Sequence, residues 1–125
     1  MTNQAIAIVR DFIAAWNRKD RDAIIKLMHQ DIICHGIPLD PAKGIAATMA
    51  LLDGFLAAEE IDWSLEHIAA QGSVVLTERV DRFRFNKDAD WTAVRAMGVF
   101  EIGADGLIHA WRDYFDKEEL LRALS

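Results

Sequence analysis

After Glu60 the chain changes its periodicity, and that change limits the fold more than any other feature of the sequence. Segments 61–70, 73–86, 91–102 and 107–115 alternate apolar and polar residues or run apolar, and turn-prone AQGS, NKDAD and GADG separate them. Short strands joined by tight turns read as an antiparallel meander. Before Glu60 the apolar residues recur at helical spacing instead. Ile6, Val9, Ile13 and Trp16 make one stripe behind Thr2 and Asn3, which are suited to cap a first helix ending near Asn17. Asp20 caps a short second helix with a stripe of Ile24, Leu27 and Met28, and Ile45, Met49, Leu52 and Leu56 mark a third helix running to about Ala58. Between these two helices DIICHGIPL reads as a short extended segment stopped by Pro38 and Pro41, and Lys117 to Leu124 forms a closing helical turn or two. Helices followed by a block of strands predict an α+β fold, a cone-shaped, curved, antiparallel-rich sheet with the N-terminal helices packed on it.

The meander carries charge where a core strand should not. In TERVDRFRF an extended backbone sends Val75, Thr77, Arg79, Asp81, Phe83 and Phe85 to one face, so an arginine and a carboxylate stand among aromatic rings. In LIHAWRDYFD the same alternation gives Leu107, His109, Trp111, Asp113 and Phe115 a common face. If these two strands are neighbours, Asp81 and Asp113 both reach the guanidinium of Arg79, whose planar fork takes two carboxylates at once. Fully ionised, such a cluster holds one uncompensated negative charge in apolar surroundings, so one carboxylate keeps a proton. Two carboxylates ~5 Å apart at an effective dielectric of ~20 repel by roughly 3 kcal/mol, about two pKa units before the arginine is counted. The expected pocket around the cluster is lined by Phe83, Phe85, Val94, Ala96, Phe100, Trp111 and Phe115 and suits an apolar ligand. An acid and a base facing one apolar pocket are what ring-opening of an epoxide by water requires, without metal or cofactor.

Composition narrows the partners. At 125 residues and 52% hydrophobic content the chain fits one compact domain, residues 1–125, with a single core. A net charge of −6 with scattered basic residues disfavours nucleic acid. The one cysteine, Cys34, fits a reducing, cytoplasmic setting and falls short of a zinc site, and no apolar run reaches the ~18 residues of a membrane helix.

TERVD (Thr77 to Asp81), GVF (Gly98 to Phe100) and WRDYFD (Trp111 to Asp116), in this order and spacing, resemble limonene-1,2-epoxide hydrolase, and IPL followed by PAKG resembles the family's proline-containing segment. The resemblance implies the fold shared with nuclear transport factor two and SnoaL-like cyclases, a homodimer, and an Asp–Arg–Asp triad. In that triad Asp81 is the general acid, Arg79 the bridge and Asp113 the base that activates water. The sequence departs from the family just before Pro38-Leu39, where a tyrosine and an asparagine that help hold the water are Cys34 and Gly36 here. The smaller pair is expected to enlarge the pocket. It also keeps open an isomerase or cyclase of the same fold, and a non-catalytic domain that binds an apolar ligand.

Other polar residues on the expected inner face have plainer readings. Cys34 fits a small buried residue better than a nucleophile, because nothing beside it lowers its pKa. His35 could replace a water-holding group only if its segment is irregular. His109 reads as a hydrogen-bonded wall residue or an additional proton carrier. His29 and His67 read as surface or cap residues, Trp16, Trp63 and Trp91 as core or interface, and Glu78, Arg82 and Arg84 as a solvated or dimer-contacting outer face.

Overall fold

The computed structural model describes residues 2–125, with side chains from residue 4 onward. In chain order it contains α1 (Thr2–Asn17), α2 (Arg21–Lys26), β1 (Met28–Ile37), β2 (Ala42–Lys43), α3 (Ile45–Leu56), β3 (Glu60–Gln71), β4 (Val74–Arg84), β5 (Thr92–Ile102), β6 (Ile108–Phe115) and α4 (Lys117–Leu124). The caps expected at Thr2 and Asn3 lie outside the described side chains. Asp20 does cap α2, accepting from the Ala23 N–H at 3.1 Å, and Asp116 caps α4 through the N–H groups of Glu118 and Glu119.

The α+β architecture is as expected: one open six-stranded sheet in the order β2-β1-β6-β5-β4-β3, with helices packed on it. Strands β3 to β6 form the antiparallel meander. The N-terminal half of the sheet differs from the expectation. The stretch read as a short extended segment is a ten-residue strand that pairs parallel with β6, matching Cys34 to Trp111 and Gly36 to Asp113. Met28, expected on the stripe of α2, begins this strand instead, because the Leu27 carbonyl accepts from the Ile108 N–H at 2.8 Å and sheet pairing takes over from the helix. A two-residue strand, β2, then pairs Ala42 with Cys34 on the outer edge.

The helical stripes bury as their spacing requires. Val9, Phe12, Ala15 and Trp16 of α1 have no exposed surface, and Met49 and Leu52 of α3 are buried in the same core. Phe12 is the centre of that packing: its ring meets Phe100 edge-on at 5.9 Å and Trp111 at 5.1 Å. The α1 wall therefore rests on the same tryptophan that precedes Asp113. Among the described residues no helix is long and apolar enough to cross a membrane.

Truncating Phe12 to Ala removes both edge-on contacts from a fully buried position. The expected cost is about 3–5 kcal/mol of unfolding free energy by chemical denaturation. A loss below about 1 kcal/mol would mean that α1 does not anchor this wall.

Candidate active site

Strand β4 alternates buried and accessible residues along nearly its whole length, and the buried set includes Thr77, Arg79, Asp81 and Phe83. The side chain of Arg79 has no exposed surface. All five of its N–H donors have acceptors. Nε and Nη2 meet Asp81 Oδ1 and Oδ2 at 3.0 and 2.9 Å. Nη1 and Nη2 meet Asp113 Oδ1 and Oδ2 at 3.1 and 2.6 Å. Nη1 also donates to the Thr77 hydroxyl at 3.1 Å, which in turn donates to the Gly98 carbonyl at 3.2 Å. The Trp63 ring covers the guanidinium, with Cζ 5.0 Å from its centroid.

The two acids do not come from adjacent strands, as the alternation alone suggested. β5 runs between β4 and β6, and Gly98 sits opposite both Thr77 and Asp113. The guanidinium crosses β5 above this glycine. A Cβ at Gly98 would overlap Arg79 Nη1 and stand 2.5 Å from Asp113 Oδ1 and 2.9 Å from Thr77 Oγ1. The absence of a side chain at one position is what lets the bridge reach across an intervening strand. In the sequence Gly98 stands out only as part of GVF; a glycine between bulky strand residues is the signal that marks such a close approach.

Burial raises the Asp81 carboxyl above its ordinary value of 3.8; Arg79 opposes the shift, and the charge of Asp113 adds to it. The flanking carboxylates drive the Arg79 pKa upward despite its burial, so the bridge keeps its charge. Asp113 Oδ1 also accepts from Trp111 Nε1 at 2.7 Å, which fixes the plane of the carboxylate.

Asp81 and Asp113 open onto a cavity of about 130 Å3 whose wall is overwhelmingly apolar. Of the residues expected there, Cys34, Gly36, Phe83, Val94, Ala96, Trp111 and Phe115 line it. Phe85, Phe100 and His109 do not. Phe85 lies past the end of β4 and stacks on the back of Phe83 at 5.7 Å. Phe100 has the expected parity, but α1 covers its stretch of β5, and its ring is enclosed between Phe12 and Trp111. His109 falls where the β5–β6 register slips, Glu101 facing Ala110 and Ile102 facing Ile108, so it is the unpaired residue and turns to Asp105 on the surface. Residues not anticipated complete the wall: Trp16 and Trp63, Leu51, Leu52 and Phe55 from α3, and Leu39 and Leu120. The helical stripes carried most of these, but their spacing does not say which members face a ligand.

Gly36 lines the cavity, and a Cβ there would lie 3.2 Å from the Phe115 ring, which would have to give by a few tenths of an ångström to admit a side chain. The Cys34 thiol is pushed up to about 12, first by burial and then by Asp113, and is not a nucleophile at neutral pH. His35 lines the cavity, with Nε2 engaged by the Leu39 carbonyl at 2.6 Å.

The family model for the limonene-1,2-epoxide hydrolase catalytic domain matches residues 3–125. The chain belongs to the limonene-1,2-epoxide hydrolase family. Within this family it is similar to the epoxide hydrolase EphG of Mycobacterium tuberculosis, at 30% identity over 93% of this chain and 76% of the relative. It is also similar to the structure of an M. tuberculosis LEH-like epoxide hydrolase, with 31% identity, a TM-score of 0.82, and coverage of 98% of this chain and 93% of the other. SalBIII, described as an epoxide hydrolase/cyclase-like enzyme in pyran ring formation in the polyether salinomycin, superposes with a TM-score of 0.84 at 19% identity, covering 94% of each chain. At that identity the last match speaks for the fold alone.

Two outcomes follow from this arrangement. Gly98→Ala drives Arg79 out of its seat, and the expected result is a loss of about 3 kcal/mol or more in stability with loss of both Arg79–Asp113 contacts in a crystal structure. An unchanged cluster would refute the role given to the glycine. A carboxyl whose pKa is raised on folding stabilises the protein fully below its unfolded value and loses that contribution as pH rises through its folded value. The stability of the native protein relative to Asp81→Asn, followed by denaturation from about pH 4 upward, therefore falls with increasing pH. A rising difference would show that Asp81 is stabilised as the anion.

Proposed function

We propose that the chain is an enzyme adding water to a small apolar epoxide in one step, giving a vicinal diol. The observation that carries this reading is the contact of one buried guanidinium with two carboxylates that share an apolar cavity. Asp113 takes a proton from water as the oxygen attacks one epoxide carbon. The carbon–oxygen bond breaks, and Asp81, held neutral by burial, donates its proton to the departing oxygen. Arg79 stays charged throughout and touches both acids, so the negative charge moves from Asp113 to Asp81 with little change in the cluster as a whole. Proton exchange with solvent then restores the starting state. The chemistry needs no metal and no covalent intermediate.

Family membership supports an epoxide as substrate, and the small apolar cavity supports a compact hydrocarbon framework. A cavity near 150 Å3 accepts a benzene-sized ligand, so a ring of about six carbons fits before the mouth residues must move. The expected homodimer is consistent with exposed Leu76, Met97 and Tyr114 on the outer face of the sheet, where Met97 and Tyr114 are register partners. A cytoplasmic setting is consistent with the free, buried Cys34.

A second reading rests on Cys34 and Gly36. Neither offers a strong hydrogen bond to a nucleophilic water beside Asp113, and the Phe115 ring lies close to Gly36. A substrate carrying its own hydroxyl needs no held water, and the same acid and base would close a cyclic ether. Turnover in 18O-labelled water separates the two. Hydrolysis places one labelled oxygen in a diol, and either Asp81→Asn or Asp113→Asn lowers the rate by about 10³-fold. Product without label, or activity that survives both substitutions, would end the hydrolase reading.

A further inference from the structure

At the end of β6 opposite Asp113, three side chains with nitrogen or oxygen ligand atoms converge, and the epoxide chemistry does not use them. His109 Nε2 stands 3.0 Å from both oxygens of Asp105. The His29 ring, on the adjacent strand β1, lies against the His109 ring with centroids 4.1 Å apart. One ligand atom from each of the three lies within 4.8 Å of the others, and all three side chains remain accessible to solvent.

The backbone around them is irregular on both sides. The β1–β6 ladder is interrupted between Met28 and Ile33, and the β5–β6 ladder slips at His109 itself. Asp105 is fixed by the turn that follows β5, where its Oδ1 accepts from the Leu107 N–H at 3.0 Å. This hydrogen bond, ahead of the His109 contact, holds its carboxyl below the usual carboxylate range. Gly103 clears the space: a Cβ there would overlap His109 Nε2 and stand 2.8 Å from Asp105 Oδ1.

The geometry points to a surface site for a borderline divalent transition-metal ion, zinc above all, formed by His29, Asp105 and His109 with water completing the shell. Two imidazoles and one carboxylate suit zinc, copper or nickel and do not suit calcium or magnesium. Ligand atoms around tetrahedral zinc are about 3.4 Å apart, so the side chains must draw in by roughly 1 Å and the two exposed imidazoles, now stacked at 22°, must swing apart to aim both lone pairs at the ion. Binding replaces the proton that His109 Nε2 shares with Asp105. It also releases the bond by which the Asp31 N–H donates to His29 Nδ1 at 3.0 Å, because a metal-bound imidazole carries its proton on the other nitrogen. The ion would tie the start of β1 to the β5–β6 turn across the two breaks in the ladders. His109 precedes Asp113 by four strand residues, about 13 Å, so the ion takes no part in the reaction proposed for the cavity. The sequence did not lead to this site: the single cysteine argued against zinc, and 76 positions separate His29 from Asp105.

The test is calorimetric titration of the chelator-stripped full chain with Zn2+, alongside thermal unfolding. The expected result is one saturable site with micromolar affinity and a rise in Tm of roughly 5 °C or more at a hundredfold excess over Kd. His29→Gln and His109→Gln should each weaken binding at least about tenfold, and mild acidity should weaken it in the native chain. If a variant misfolds, histidine ring 15N shifts in the native protein report the ligands: Zn2+ should move His29 and His109 and leave His35 and His67 in place. No saturable binding below about 1 mM, undiminished binding in both variants, or shifts at other histidines would each overturn the assignment.

Discussion

One buried guanidinium organises this protein. Arg79 has no exposed surface, and its five N–H donors are shared among Asp81, Asp113 and Thr77. A buried arginine that loses its ionised partner leaves an uncompensated charge in an apolar interior, at a cost of several kcal/mol. The surrounding structure satisfies that demand at each point. Trp63 covers one face of the cation, Trp111 turns one carboxylate, and Gly98 withholds a side chain so that the cation can cross a strand. Strand pairing sets these positions to within a residue, because a slip of one on β4 would send Arg79 and Asp81 to the outer face.

The cluster was legible in the sequence because period-two alternation is a strong signal on β4 and β6, and a charged residue on an apolar face stands out against it. What the alternation cannot give is lateral order. It placed Arg79, Asp81 and Asp113 on inner faces and suggested neighbouring strands, whereas β5 lies between them and Gly98 makes the contact possible. Parity also says nothing about what covers a given stretch of strand, so Phe100 was assigned to the pocket when α1 covers it. A bulge reverses the facing locally, which is why His109 left the inner face. Strand β1 reads in the sequence only as a short extended segment, because its partner is parallel and distant, with Met28 paired to Ile108 80 residues downstream and Cys34 to Trp111 77 downstream, so no turn signal announces the pairing.

The departure from the family pattern acquires a physical form in the structure. Cys34 and Gly36 project from β1 beside Trp111 and Asp113, the positions from which a side chain could share a water with the base. Both small residues line the cavity, and the Phe115 ring lies 3.2 Å from where a Cβ on Gly36 would stand. The cavity beside the two acids is accordingly small and greasy, with a thiol too weakly acidic to act as a nucleophile. A site of this kind favours a reaction in which the substrate is positioned by shape and the charges come only from the cluster.

The proposed chemistry requires Asp81 to be neutral while Arg79 remains charged beside it. 13C-carboxyl NMR of aspartate-labelled protein near neutral pH, with the signal assigned by its loss in Asp81→Asn, reads that state directly. The account predicts an Asp81 resonance at the position of a protonated carboxyl. A resonance at the position of an ionised carboxylate would contradict it.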